Sequence, residues 1–391
     1  MLDNYSLSRK EECLVYVIAI ASLLSVFGNV SWGLNAYYAS VICFSLFALH
    51  DKTTNTSVFF LFWIWIVICS VFNSVYDWRI LSFGLLLICA TPALSSAKLY
   101  YLRKAIMYMM CILLPIVALL NLYAYIMGIN YYLIINVGFN QLQFSGFMTE
   151  PLWFGCISGG SNVSLTYFIL SHDSSKKFFK YLLIFLLVIS VFLTVVSGSR
   201  SALLSSVIGM GMVAYFYSKD KKQFISYFFV AVFLVIISFP FFKSGSAVLT
   251  NKLESQTLDN NSRTLLWTQR LNEFYSSPIW GIGFATMHRW GRVITGTIET
   301  GSGWLTVLSQ TGIVGAAFFV AFFKRIKKNL HIIRSSNDLI LFWGVFVYLT
   351  VLSFFEGFIY TIGYVPCFMF WLVLGIFYEC DKYEIIEYDE E

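Results

Sequence analysis

Apolar residues fall along this chain in blocks separated by short polar gaps. The blocks run at 13–27, 32–49, 58–72, 80–94, 105–127, 151–171, 181–198, 201–217, 224–242, 303–323, 339–356 and 360–378. A helix needs roughly 17–25 such residues to cross the hydrocarbon core of a bilayer. The pattern therefore predicts an all-α, polytopic membrane protein of about twelve transmembrane helices, with 1–391 forming a single transmembrane domain. The third, fourth and eighth blocks are short. Arg9 and Lys10 precede the first block as they would in a signal peptide. No small-residue cleavage site follows and further spans do, so the block reads as a retained helix. No internal repeat is visible, which argues against a transporter built from duplicated halves.

Charge gives the blocks a direction. With the N-terminus inside, one face holds eighteen of the twenty-six Lys and Arg residues, among them Lys98, Arg103, Lys104, Lys176, Lys177, Lys180, Lys324, Arg325, Lys327 and Lys328. The other face holds eight: Arg79, Arg200, Lys243, Lys252, Arg263, Arg270, Arg289 and Arg292. Cytoplasmic loops carry the excess of basic residues, and long loops escape that rule. The expected arrangement has both termini cytoplasmic and residues 243–302 as one large outer loop. The acidic tail Glu379–Glu391 reads as a solvated, disordered end.

Within the outer loop, Ser262-Arg263-Thr264-Leu265-Leu266-Trp267 starts a predicted amphipathic helix. Arg263, Trp267 and Arg270 share one face at spacings of four and three. Asn261 or Ser262 caps this helix, Ser277-Pro278 ends it, and Gly281-Ile282-Gly283 makes a turn. A loop of this length predicts functional structure.

The cations on the sparsely charged face are the candidate chemistry. Arg200 stands in Ser197-Gly198-Ser199-Arg200-Ser201 between two blocks. It reads either as a snorkelling interface arginine or as a phosphate ligand, because the planar guanidinium donates two parallel hydrogen bonds. Arg263, Arg270, Arg289 and Arg292 read either as loop surface or, with Arg200, as an anion site biased toward bidentate donors. Trp267, Tyr275, Trp280, Trp290 and Trp304 suit sugar stacking or the membrane interface. Glu150 and Glu299 each precede a helix start. Either is a candidate general base or sugar-hydroxyl ligand, and either could serve a helix dipole. Glu356 ends an apolar block, where an acid is costly without a partner. His288 is a candidate base or a structural residue, and Glu273 is expected to be neutral to activity.

Composition narrows the class. The chain is 58% hydrophobic and 12% charged, too little charge for a soluble protein of 391 residues. Seven of its eight cysteines lie in apolar blocks and Cys380 lies in the tail, so no disulfide framework is expected. No Cys/His pairing, DxD or carboxylate cluster suggests a metal, and no cofactor is expected.

Three motifs resemble the O-antigen ligase/polymerase superfamily over roughly 185–325. They are Ser197-Gly198-Ser199-Arg200-Ser201-Ala202-Leu203-Leu204; Arg263-Thr264-Leu265-Leu266-Trp267 followed by Pro278-Ile279-Trp280-Gly281-Ile282-Gly283; and Ser302-Gly303-Trp304-Leu305 through Gln310-Thr311-Gly312-Ile313-Val314-Gly315. The resemblance implies a metal-independent glycosyltransferase of the GT-C type with an undecaprenyl-diphosphate-linked oligosaccharide as donor. By position, Arg200 and Arg263 contact the diphosphate and the loop holds the glycan. Ligases carry a His-Asn pair where this chain has Ser302-Gly303. An acid ahead of this segment, and Phe147-Met148-Thr149-Glu150-Pro151, look more like Wzy-type polysaccharide polymerases.

The expected function is therefore polymerisation of a surface polysaccharide, O-antigen or capsule, at the outer face of a bacterial inner membrane. A chain-length regulator and a flippase of the same pathway are the implied partners, with no nucleic acid. The alternatives are an O-antigen ligase acting on lipid A-core, or a flippase; a flippase should place its charges inside the spans. The orientation has a direct check. A cysteine introduced at Gln256 is expected to react with an impermeant thiol reagent from the outer side, and labelling from the cytoplasmic side alone would overturn it.

Overall fold

The computed structural model describes residues 7–50, 54–55, 57–132, 144–171, 177–218, 220, 222–226, 228–230, 233, 262–289, 292–295 and 301–384. In chain order the helices are α1 (Arg9–Leu24), α2 (Gly33–His50), α3 (Ser57–Phe72), α4 (Arg79–Ala90), α5 (Ala97–Ile126), α6 (Pro151–Ser171), α7 (Lys177–Val196), α8 (Arg200–Tyr217), α9 (Ser262–Ser276), α10 (Gly303–Lys328), α11 (Leu330–Ser335), α12 (Asn337–Leu352) and α13 (Val365–Tyr383). Each expected span except 224–242, most of which lies outside the described residues, falls on one of these helices. Four of them, α2, α5, α7 and α10, are long and apolar enough to cross a membrane, and parts of α3, α4 and α12 are shorter apolar helices. The chain also forms two antiparallel two-stranded ladders that an all-α reading lacks. One pairs β1 (Thr54–Asn55) with β2 (Leu94–Ser95); the other is a hairpin of β3 (Thr286–Arg289) and β4 (Arg292–Thr295).

Helix α6 packs against α5, α7, α8 and α12, and α8 lies closely on α12. Small residues permit that approach: a Cβ on Gly209 would lie 3.1 Å from the Gly344 carbonyl oxygen. Lipid tails offer helices no hydrophobic reason to associate, so close backbone packing carries more of the association.

The start of α1 and the end of α13 lie at one end of the bundle, where ion pairs staple them. Arg103 on α5 and Glu379 on α13 pair at 3.2 Å, with both side chains fully buried. The rest of the Arg103 fork goes to the carbonyls of Ile88, Cys89 and Leu94. Lys104 meets Glu384 at 2.7 Å, Arg325 meets Asp381 at 2.5 Å, and Lys98 meets Glu11 at 2.7 Å. This corrects the expectation of a solvated tail from Glu379 onward. Glu379, Asp381 and Glu384 are anchors, because cations on α5 and α10 draw them back onto the bundle; residues 385–391 lie outside the described residues.

Helix α10 does not run straight. It breaks at Gly312 (φ 65°, ψ −168°), about 14 Å along the helix from its start. Loop residues 278–283 fill the break. Ile313 donates its N–H to the Pro278 carbonyl at 2.8 Å, and Ile282 and Gly283 donate to the carbonyls of Ser309 and Gln310 at 2.8 and 3.2 Å. Asn73 donates to the Gly281 carbonyl, Trp65 donates to the Thr311 carbonyl, and Trp280 stacks on Trp65. Phe284 is buried against Phe83 and Tyr360. Gly281-Ile282-Gly283, expected as a turn, is thus a wedge inserted into the bundle. Irregular backbone at membrane depth survives only where protein or water satisfies it.

Side chains have no room at this junction. A Cβ on Gly281 would lie 2.4 Å from the Gln310 carbonyl carbon, and one on Gly312 would lie 2.1 Å from the Ile279 oxygen. Both glycines also have positive φ. Gly281→Ala is expected to destabilise the purified protein by about 2 kcal/mol or more, from left-handed strain plus overpacking. Thermal unfolding in detergent checks this, against an expected change of under about 0.5 kcal/mol for a surface change such as Leu265→Ala.

Candidate active site

At the end of the bundle opposite the termini, the chain leaves α7 through a tight turn. Ser197 Oγ donates to the Thr194 carbonyl, Gly198 takes φ 69°, and Ser199 accepts the Ala202 N–H as the cap of α8. Arg200 is therefore the first residue of α8, and it is exposed. A helix N-terminus carries partial positive charge, so a guanidinium there is opposed by the dipole. An anion at the same place is favoured by both.

Ser201 turns the other way. Its hydroxyl donates to Glu356 Oε1 at 2.7 Å, and Arg263 Nη2 donates to the same oxygen at 2.5 Å. Arg263 Nη1 also donates to the Phe355 carbonyl. Glu356 is 7% exposed, while the Arg263 side chain keeps about a third of its surface open (34%). The N-terminus of α10 closes the group: Gly303 donates to the carbonyls of Ser353 and Glu356 at 2.7 and 3.1 Å. Two helix starts, α8 and α10, thus converge on the turn that ends α12. The acid at the end of an apolar block has its partners, and they are an arginine from the loop and a serine from the turn.

Helix α9 delivers Arg263 because its other contacts are fixed. Trp267 Nε1 donates to the Gly301 carbonyl at 2.9 Å. Arg270 is buried; its Nη1 donates to Glu273, to the Thr286 carbonyl and to Ser309 Oγ at 2.8, 2.9 and 3.3 Å. Burial pulls the pKa of this guanidinium below its ordinary value, and the neighbouring Glu273 carboxylate opposes that shift. Glu273 also accepts the backbone N–H of His288 at 2.7 Å. The three residues of the expected anion-binding face therefore differ in placement. Arg263 is part-exposed beside Glu356, whereas Trp267 and Arg270 are packed against the α10 segment and the hairpin.

The remaining candidates are dispersed. Glu150 is exposed and directly precedes α6, where its carbonyl accepts the Phe154 N–H. It lies at the same end as Arg200, since a Cβ on Gly155 would sit 2.7 Å from Ser199 Cβ. His288 is half-buried in β3, and the backbone of Arg289 faces Arg292 across the hairpin. Glu299 lies outside the described residues. Ser302 caps α10 by accepting the Leu305 N–H. Among the described residues, no three His, Cys, Asp or Glu side chains gather as a metal site. Along the chain the serines beside Arg200 suit backbone contact with an anion, but the Ser201 hydroxyl as a partner of Glu356 has no local signal beyond the cost of an acid at that depth.

Residues 185–320 match the family described as O-antigen ligase, in agreement with the O-antigen ligase/polymerase superfamily. The matched segment includes Arg200, Ser201, Arg263, Arg270 and His288, and leaves Glu150 and Glu356 outside. No match was found among curated proteins or solved structures.

The ion pair under α9 gives Glu273 a structural role, because losing its carboxylate leaves Arg270 charged and buried. Glu273→Gln is expected to destabilise the loop by about 3–5 kcal/mol, as for other buried pairs broken on one side. Limited proteolysis between α9 and α10 should accelerate accordingly, and wild-type resistance would show that the pair is dispensable.

Proposed function

With an O-antigen ligase-type domain at residues 185–320 as premise, we propose that this chain polymerises a surface polysaccharide from lipid-linked units at the outer face of a bacterial inner membrane, with both termini cytoplasmic. The observation that carries the reading is the Arg200–Ser201–Glu356–Arg263 assembly at the loop end of the bundle. Its donor is a glycan on undecaprenyl diphosphate. Arg200 and the α8 N-terminus receive the diphosphate, and Arg263 supplies a second fork. Glu356 and Ser201 hold the Arg263 guanidinium in place before substrate arrives.

The reaction moves one glycosyl group. A sugar hydroxyl of the acceptor attacks the anomeric carbon, the bond from that carbon to the diphosphate oxygen breaks, and the electron pair leaves on the diphosphate. Arginines aimed at that oxygen stabilise the growing charge without reorganising. The hydroxyl proton goes to a carboxylate, for which Glu299 is the choice and Glu150 the next, with the His288 imidazole after them. Arg270 acts indirectly by fixing α9, and Arg289 lies on the same loop as a further cation for the glycan phosphate. The absence of an imidazole at Ser302, which serves as a helix cap, favours a polymerase over a ligase.

Kinetic roles separate these residues. Arg200→Lys is expected to lose most polymer, because an ammonium does not reproduce the fork. Glu299→Gln should lower kcat by about 10²–10⁴-fold, as for a general base. Glu356→Gln should mainly raise the KM for donor, because it frees Arg263 from its position. Polymerisation of a lipid-linked repeat unit by purified protein measures all three. Normal polymer from Arg200→Lys would reduce Arg200 to an interface anchor, and a normal kcat in Glu299→Gln would pass the base to Glu150.

A further inference from the structure

A second cluster lies at the same end of the bundle, on the other side of α6, and the arginine site does not use it. Trp153 on α6 stacks on Tyr364, which caps α13, with ring centroids 4.2 Å apart and planes 25° apart. Tyr38 on α2 meets Trp78, which precedes α4, edge to face at 5.5 Å. The two pairs adjoin: a Cβ on Gly363 would lie 3.2 Å from the Tyr38 hydroxyl. Glu150 stands one helical turn before Trp153. Glu150 and Arg79 both lie within electrostatic reach of the Tyr364 phenol, and Arg79 also reaches Tyr38.

Three observations set this cluster apart from scattered interface aromatics. Trp153 is 8% exposed, yet among the described residues its indole N–H has no hydrogen-bond partner. A buried donor left unpaired costs about 1–3 kcal/mol, so a ligand acceptor there has a reason to bind. Trp78 is 57% exposed and Glu150 is exposed, so the cluster opens outward. Finally, it carries one exposed carboxylate and one guanidinium beside its rings.

That combination matches a pyranose. A sugar ring has an apolar face of C–H bonds and a rim of hydroxyls. Aromatic rings cover the first, and carboxylate, guanidinium and indole N–H groups bind the second. We propose that Trp153, Tyr364, Tyr38, Trp78, Glu150 and Arg79 form a sugar-binding subsite for one pyranose ring of the acceptor glycan. This rests on the transfer reading above and assigns that reaction its acceptor side. The location fits: Gly155, two residues beyond Trp153, packs on the Ser197–Ser199 turn that presents Arg200. An acceptor held here reaches the arginine site across one helix.

The test uses the full chain in nanodiscs and, as probe, the repeat-unit oligosaccharide released by hydrolysis from the surface polymer of the strain that makes this protein. Saturation-transfer NMR is expected to show ring C–H contacts in the wild type. Trp78→Ala and Glu150→Gln should each weaken binding by about 10-fold, the scale of one lost stacking or hydrogen-bond contact. Trp32→Ala, an exposed aromatic (59%) outside the cluster, should bind normally. The subsite is overturned if the wild type gives no contacts, if Trp78→Ala and Glu150→Gln bind like wild type, or if Trp32→Ala loses as much. The transfer reading fails separately: sugar binding mapped to this cluster, with normal polymer from Arg200→Lys, would keep the subsite and reject the arginine mechanism.

Discussion

Backbone hydrogen bonding at membrane depth is the constraint on which the rest of the structure depends. Lipid offers no partner to a free N–H or carbonyl, and each one left open costs several kcal/mol. Helix α10 breaks at Gly312 and so exposes such groups in its middle. The loop wedge from Pro278 to Gly283 supplies the missing partners. A loop that closes a helix break is no longer free to move. Its preceding helix α9 and following hairpin are fixed with it, which places Arg263 beside Glu356. The position of a charged side chain at the surface thus traces back to the satisfaction of amide groups inside the bundle.

The two ends of the bundle use charge differently. At the termini end, Arg103 and Glu379 are fully desolvated and spend themselves on one another, and Lys104 and Arg325 pair with carboxylates of the C-terminal segment. Breaking the Arg103 or Lys104 pair leaves a charge buried, so these pairs enforce one docking of α13 more than they add net stability. At the loop end, Arg200 is exposed and Arg263 keeps about a third of its side-chain surface open (34%). Cations at the first end complete a fold; cations at the second meet solvent beside two helix N-termini. That contrast supports the proposed anion chemistry at the loop end.

Glu356 links these themes. It accepts from a loop arginine and from the serine after Arg200, while its own backbone carbonyl accepts from the start of α10. One residue therefore ties together the ends of α8, α9, α10 and α12. Under the proposed transfer reaction, a donor phosphate reaching Arg263 would compete with this carboxylate and so be coupled to the arrangement of the four helix ends.

Helix positions, their alternation and the loop helix from Ser262 were legible along the chain, because hydrophobic length and capping residues are local properties. The candidate arginines were legible for a similar reason: a cation on the face that otherwise lacks them is visible by counting. The pairing of Glu356 with Arg263, across more than ninety residues, has no local signal. Nor does the burial of Glu379, whose acidic neighbours imitate a solvated tail until Arg103 meets it. The turn at Gly281-Ile282-Gly283 was readable as a turn but not as a wedge, because only its partner helix reveals the break it fills. Sequence by itself determined which segments become helices and which charges are out of place. Tertiary structure decided which of those charges are buried in pairs and which remain exposed, since that depends on contacts between segments far apart in the chain.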